Sequence, residues 1–368
     1  MKQIAVCLPT FNESDMIRQT TTKVDLALQA YSPNYKTYIV NCDSGSTDDT
    51  VDVFRSVCTK SIKIFYSEAS IGKGRNIFNF FHFCTRWDID YAIMLDVDVR
   101  TMEPIWIEQF LTELILGKAE YVVPFYKRNR FEGSTTNLFA FPLIYGLTGR
   151  AIRQPIAGDF AFNKRFIQYI LKQQICEDTL YYGIDIFLTL SAIYGGFCIS
   201  EIALSEKQHK PSFPKMPSMF EQVLNSTIFT LKNQNPLYLC GIDDQLDSIL
   251  GNVSDGGYFS HKGKATQLKQ MSWEMLPSDG KTVFLSAVQL NRKRVVWEDV
   301  LFHLLCLLIE RKAINQEDKN VIVNLFIISA CSFWTKIEEM NGEESERYVR
   351  SLAQKLRIRI NNRYNEKN

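Results

Sequence analysis

The chain has 368 residues, more than one compact core usually holds, so one large domain plus an appendage is expected. Hydrophobic residues make up 46%, the ordinary share for a soluble globular protein. With 42 basic against 41 acidic residues the net charge is +1, which excludes nucleic-acid binding driven by bulk charge.

The nine cysteines are Cys7, Cys42, Cys58, Cys84, Cys176, Cys198, Cys240, Cys306 and Cys331. No two are spaced as C-x-x-C, and MKQIAVCLPTF at the start lacks a long apolar signal region. Reduced, buried thiols in a cytoplasmic protein are expected, without a zinc site.

In chain order, IAVCLPT (4–10) reads as a short apolar strand ended by Pro9. A helix follows, with Ile17, Val24, Leu26 and Leu28 on or near one face. TYIVNCD (37–43) is the next strand, then the turn residues SGSTDD and the helical TVDVFRSVC. IKIFYS is a third strand, GKGRNIFNFFHFCTRW a loop and helix, and YAIMLD a fourth strand. Strands separated by helix-length segments predict β-α-β units and a mostly parallel sheet covered on both faces. Ligands of such sheets sit outside the carboxyl ends of the strands.

Further on, EYVVPFY reads as a strand, TTNLFAFPLIYGLTG and GIDIFLTLSAIYG as helices, and FCISEIAL as a late strand. KPSFPKMPS (210–218), with three prolines, reads as a linker. A helix then spaces Phe220, Val223, Leu224, Ile228 and Leu231 on one face. The glycine-rich 250–265 reads as a loop, and three helices are expected at 297–312, 316–338 and 343–361. Asn315 is the expected N-cap of the second, with Glu317 and Asp318 in its first turn. The apolar run 321–334 is interrupted by Asn324 and is shorter than the ~20 residues that span a bilayer, so a buried helix and no transmembrane segment are expected. The basic tail from Lys355 reads as a solvated end.

The chemistry concentrates at the strand ends. LDVD places Asp96 and Asp98 where the fourth strand leaves the sheet. Paired like charges there call for a positive partner. A hard cation such as Mg²⁺ or Mn²⁺ takes few protein carboxylates and fills its shell with water and phosphate oxygens, so an Asp-x-Asp suits a metal–diphosphate site. In GKG, Lys73 lies between Gly72 and Gly74 without Walker A spacing. Of four histidines, His82 and His303 lie in apolar helical runs and read as core, and His261 lies in the glycine-rich loop. His209 follows a predicted strand among polar residues.

PTFNE (9–13), CDSGSTDDT (42–50), SIGKGRN (70–76) and LDVD, in this order, resemble the nucleotide-binding half of GT-A fold glycosyltransferases. The resemblance implies that Pro9, Thr10, Asn12, Glu13 and Asp43 hold the base and ribose of a nucleotide diphosphate sugar. Gly72 and Lys73 would then lie at its diphosphate, with Asp96. The later strings RQPIAGDFAFNKRF, YYGIDIFLTL and LSEKQHK resemble glucosyl-3-phosphoglycerate synthases and, less closely, mannosylglycerate synthases. Those are retaining enzymes that transfer a hexose to glycerate or its phosphate. By this resemblance the metal ligands are Asp98, His209 and Asp96, Asp185 contacts the donor hexose, and Gly158 and Asp159 lie near the donor. Asp98 and Asp185 are the implied catalytic residues.

The acceptor segment departs from the phosphoglycerate enzymes. In FEGSTTN, Gly133 and Thr136 fit, but Ser134 stands where an arginine is expected. Arginine is the natural bidentate partner of phosphate, so Arg128, Arg130 or Arg153 would have to replace it, or the acceptor is uncharged or carries only a carboxylate.

The expected architecture is a GT-A domain over 1–225 and a C-terminal helical region over 226–368 that packs on it or forms a homodimer. The expected partners are a nucleotide-sugar donor and a small polar acceptor. Three other readings stay open: an inverting transferase acting on polysaccharide or protein with Asp159 or Asp185 as base, a nucleotidyltransferase, and a degenerate nucleotide-sugar-binding module.

Overall fold

A computed structural model of the chain describes residues 1–67, 71–208, 215–235, 237–246, 253–254, 262–277 and 295–364. It divides into two compact units, Met1–Tyr126 with Ile156–Phe213, and Lys127–Pro155 with Pro214–Asn368. The division differs from the expected boundary near residue 225. Residues 127–155 belong with the C-terminal helices because α5 (Phe141–Thr148), buried at every position, packs on α12 (Gly342–Tyr364).

The first unit is built on a mixed sheet. β1 (Lys2–Thr10), β2 (Tyr35–Asp43), β3 (Ile62–Ser67) and β4 (Tyr91–Met94) run parallel in the order β3-β2-β1-β4. Residues 4–8 of β1 and all of β4 are buried, as strands covered on both faces must be. β6 (Phe160–Asn163), which the sequence pattern did not reveal, pairs antiparallel with both β4 and β5 (Tyr121–Asn129), and β7 (Ile199–Glu206) closes the order. α1 (Ile17–Gln29) packs on α4 (Pro104–Ile115), while α3 (Lys73–Arg86) packs on α6 (Lys164–Ile170) and against β1 and β2. The short α2 (Thr50–Ser56) follows β2, and α7 (Ile184–Tyr194) precedes β7.

Two registers position the site. Thr10 of β1 lies beside Asp43 of β2. Met94 of β4 lies opposite Phe160 of β6, so two further steps along the antiparallel pair bring Gly158 opposite Asp96. The expected fourth strand ran through Asp96; β4 stops at Met94, and Asp96 and Asp98 lie in the turn beyond it.

The second unit is helical. Its described helices are α5, α8 (Met216–Lys232), α9 (Lys262–Glu274), α10 (Trp297–Ile309), α11 (Gln316–Ile337) and α12, with a two-residue strand β8 (Val253–Ser254) paired to Arg128 and Asn129. A wide π turn at Thr136–Ala140 runs into α5, and Pro142 there has no N–H to give to Leu138 O. That carbonyl instead accepts the Trp297 indole N–H at 2.5 Å. Phe220 stacks on Phe326 at 3.7 Å to form the aromatic centre. Asn315 is the N-cap of α11 as expected and also completes a capping box, with Asp318 N–H donating to Asn315 Oδ1 at 2.8 Å. By length and composition α11 is long and apolar enough to cross a membrane, but 72% of its apolar window is buried inside the protein, as in a core helix.

Several expectations shift. The tail from Lys355 is part of α12, where Leu356, Arg357 and Ile360 are buried. His82 is exposed and His303 half-buried, because their helices turn those positions away from the core. Leu26 is exposed for the same reason. Of the nine cysteines five are buried, and Cys58, Cys198 and Cys240 are exposed. Residues 250–252 and 255–261 of the expected loop lie outside the described residues, whereas 262–274 is helix.

Arg153 ties the inserted segment to α12. Its guanidinium donates to both Glu346 oxygens at 2.8 and 2.7 Å, and to Asn137 Oδ1 at 2.8 Å. Burial opposes the Glu346 charge, but Arg153 and Arg350 overcome it and hold the carboxyl at about 2, below its ordinary 4.5. A depressed carboxylate stabilises the fold above its unfolded pKa and loses that contribution as pH falls through the folded value. At 1.36 kcal/mol per unit this pair contributes about 3 kcal/mol. Glu346→Gln is therefore expected to lower stability by about that amount at pH 7. The gap from wild type should close between pH 4.5 and about 2 in pH-dependent urea unfolding.

Candidate active site

Four carboxylates and two lysines meet at the carboxyl ends of the strands. Lys73 Nζ, on the first residue of α3, is 2.8 Å from Asp96 Oδ1 and 3.4 Å from Asp185 Oδ1. It also donates to Gly158 O at 3.3 Å. Lys207, just past β7, places its buried Nζ 2.7 Å from Asp159 Oδ2 and 3.5 Å from Asp96 Oδ2, and donates to Ala157 O at 2.9 Å. The positive partner that Asp96 and Asp98 demand is this pair of ammonium groups. Lys207 was not singled out by sequence; its only signal is a lone lysine at a strand end, two residues before His209.

Asp159 is fully engaged. Its Oδ1 accepts the Asp96 backbone N–H at 2.6 Å, and its Oδ2 accepts the Tyr126 hydroxyl at 2.5 Å as well as Lys207. Only 1% of Asp159 is exposed, and both of its oxygens are engaged. Asp185 sits in the first turn of the otherwise apolar α7 and pairs with Lys73, which resolves the cost of a carboxylate among Ile184, Ile186 and Phe187. Among the described residues the partner of its Oδ1 is the Lys73 ammonium.

Burial raises the Asp98 pKa and Asp96 repulsion adds to the rise, with Lys207 and Lys73 opposing both. Burial raises Asp185 likewise, against Lys73. Lys73 is itself pulled down by burial, but Asp185 and Asp96 outweigh this and hold it protonated.

The glycines follow from close approach. A Cβ at Gly72 would lie 2.4 Å from Leu180 O, and one at Gly74 2.1 Å from Thr179 O. Only glycine lets the start of α3, and so Lys73, reach this backbone. Gly158 has φ +93°, and a Cβ there would lie 2.1 Å from Asp96 Oδ2.

The first two strand ends form a hydrogen-bonded loop pair. Asp43 is buried and accepts from Thr10 Oγ1 at 2.9 Å, Gly45 N–H at 2.9 Å, Ser46 N–H at 2.8 Å and Ser46 Oγ at 2.5 Å. Asn12, at φ +57°, accepts Thr47 N–H at 2.9 Å, and Glu13 N–H donates to Thr50 Oγ1 at 2.8 Å. Pro9, Thr10, Asn12, Glu13 and Asp43 thus shape one rim, with the Asp43 carboxylate spent on the loop itself.

By formal charge the four carboxylates exceed the two ammonium groups by two, which suits one divalent cation. Among the described residues, no three His, Cys, Asp or Glu side chains are grouped as a preformed metal site. His209, the expected third ligand, lies outside the described residues. Its neighbour Gln208 is stitched to the Asp98 turn, with Arg100 N–H donating to Gln208 O at 2.9 Å and Gln208 N–H to Thr101 Oγ1 at 3.0 Å.

The expected acceptor residues lie in the second unit. Arg128 donates to Gln154 Oε1 at 3.1 Å, and a Cβ on Gly133 would lie 3.9 Å from Arg128 Nη1 and 3.8 Å from Thr136 Oγ1. Ser134 and Thr136 are buried. Arg153 is committed to Glu346 and cannot replace the missing arginine.

Residues 5–173 match the model of glycosyl transferase family 2. Among curated proteins no sequence matches significantly. Structures similar to this one include glucosyl-3-phosphoglycerate synthase from Mycobacterium tuberculosis with Mn²⁺, UDP and phosphoglyceric acid. That likeness has a TM-score of 0.51 at 21% identity and covers 66% of this chain and 80% of the other. The same enzyme with Mn²⁺, UDP-glucose and glycerol 3-phosphate matches at TM-score 0.50 and 20% identity, over 66% and 82% of the two chains. Its complex with Mg²⁺ and UDP matches at 0.50 and 21%, over 66% and 81%. At these identities the likeness shows the GT-A fold.

Gly158→Ala is expected to push the Asp96 carboxylate aside and cost about 1–3 kcal/mol, read as a fall in Tm. Gly117→Ala, also at positive φ but with nothing within 4 Å of the added Cβ, should lose only the backbone part. Equal losses in the two variants would refute the contact.

Proposed function

We infer that this chain, a glycosyltransferase of the GT-A fold carrying a glycosyl transferase family 2 domain over residues 5–173, moves a hexose from a nucleoside diphosphate sugar to a small polar acceptor. The observation that carries the reading is the carboxylate cluster with two excess negative charges at the strand ends. The similar structures, crystallised with Mn²⁺ or Mg²⁺ and UDP or UDP-glucose, support it.

Asp96 and Asp98, with His209, would hold the cation. When bound, the cation offsets the charge that develops on a departing diphosphate, the difficult feature of glycosyl transfer. Lys73 stays protonated beside Asp96 and adds a fixed positive charge. Gly72 and Gly74 keep the start of α3 close enough to deliver it. The loop pair around Asp43 and Asn12 forms the rim for base and ribose. Asp185, paired with Lys73, would contact the donor hexose.

Retention of configuration is favoured because Asp159 is consumed by three hydrogen-bond donors. The leaving phosphate oxygen can then take the acceptor proton, and no protein base is required. For the acceptor, Arg128 beside Gly133 and Thr136 supplies the cation that Ser134 lacks, which favours an acceptor carrying an anionic group.

Asp98→Asn and His209→Ala should each lower kcat/KM for UDP-glucose turnover with Mn²⁺ by at least about a hundredfold, a loss of about 3 kcal/mol in transition-state stabilisation. Near-normal turnover in either would remove that residue from the site. NMR of the product's anomeric proton tests the stereochemistry, and an inverted product would transfer the base role to Asp185.

A further inference from the structure

We propose that Lys207 is a positioning residue that, through Asp159 and the Tyr126 hydroxyl, fixes the backbone at Asp96 and so sets the cation site. The proposal rests on the reading of Asp96 and Asp98 as cation ligands. Asp96 lies beyond the last paired residue of β4, so the ladder no longer holds it. Its N–H donates to Asp159 Oδ1 at 2.6 Å, while its side chain pairs with Lys73 at 2.8 Å and more distantly with Lys207 at 3.5 Å. Asp159 is oriented in turn by two donors on its other oxygen, Lys207 at 2.7 Å and the Tyr126 hydroxyl at 2.5 Å. Lys207 is 3% exposed, its ammonium lies 4.9 Å from the Tyr126 ring centroid, and it donates a further hydrogen bond to Ala157 O. Three segments distant in sequence thus converge on one carboxylate, whose remaining oxygen grips the turn that carries Asp96.

A purely electrostatic role for Lys207 predicts the opposite outcome. Deleting an ammonium beside carboxylates makes the cluster more negative and should tighten cation binding. Deleting a positioning residue loosens Asp96 and should weaken it.

Wild type, Lys207→Met, Lys207→Arg and Tyr126→Phe would be compared by Mn²⁺ titration calorimetry and, without metal, by hydrogen–deuterium exchange. Lys207→Met is expected to bind Mn²⁺ at least about tenfold more weakly. It should also exchange the amides of a peptide covering 94–98 at least about tenfold faster, with the β1 and β2 peptides unchanged. Tyr126→Phe alters no charge and should move both readouts in the same direction by a few-fold, which keeps the test alive if Lys207→Met fails to fold. Lys207→Arg should restore most of the protection. Tighter or unchanged Mn²⁺ binding in Lys207→Met overturns the proposal, as does unchanged exchange at Asp96 in both variants. A wild type that binds no Mn²⁺ sinks the cation reading instead, and the exchange data then decide alone whether Lys207 holds Asp96.

Discussion

One carboxylate shared by two ammonium groups organises this sheet end. Asp96 lies between Lys73, delivered by the start of α3, and Lys207, delivered by the end of β7. Taking so many charges out of water is costly, and only close mutual pairing with full hydrogen bonding offsets it. The local backbone is shaped to that demand. Gly158 leaves room for one Asp96 oxygen, and Gly72 and Gly74 let α3 approach the segment before α7.

The cluster is incompletely neutralised as it stands. Burial is the chief cause that raises Asp98 and Asp185, Asp96 adds to both, and Lys73 and Lys207 oppose the rise. Such crowding is hard to justify as a fold-stabilising device, because apolar side chains of similar volume would pack there at lower cost. It is readily understood as an arrangement kept for a charged ligand.

Much of this was legible from sequence. The strands β1 to β4 announced themselves as short apolar runs between helix-length segments, and Asp96, Asp98 and Lys73 stood at their ends. β6 stayed hidden because four residues of FAFN carry no period and its antiparallel pairing depends on a distant partner. Lys207 and Tyr126 stayed hidden because their importance lies in converging on Asp159 from segments far apart in the chain. Arg153 looked like a phosphate binder because its type suits one. Its commitment to Glu346 is a contact between residues 193 apart, beyond any local pattern. The compact units differ from the expected division for the same reason. Composition changes near residue 225, but packing assigns 127–155 to the later helices.

That long tie bears on how the chain is made. A ribosome adds roughly 5–20 residues per second, so residues 127–155 emerge roughly 10 to 40 s before the helix that covers them. Throughout that interval the FPLIYGLT segment, destined for complete burial, lacks the helix α12 that packs on it. Apolar surface left uncovered during synthesis is aggregation-prone, so the order in which these helices emerge bears on how the chain folds.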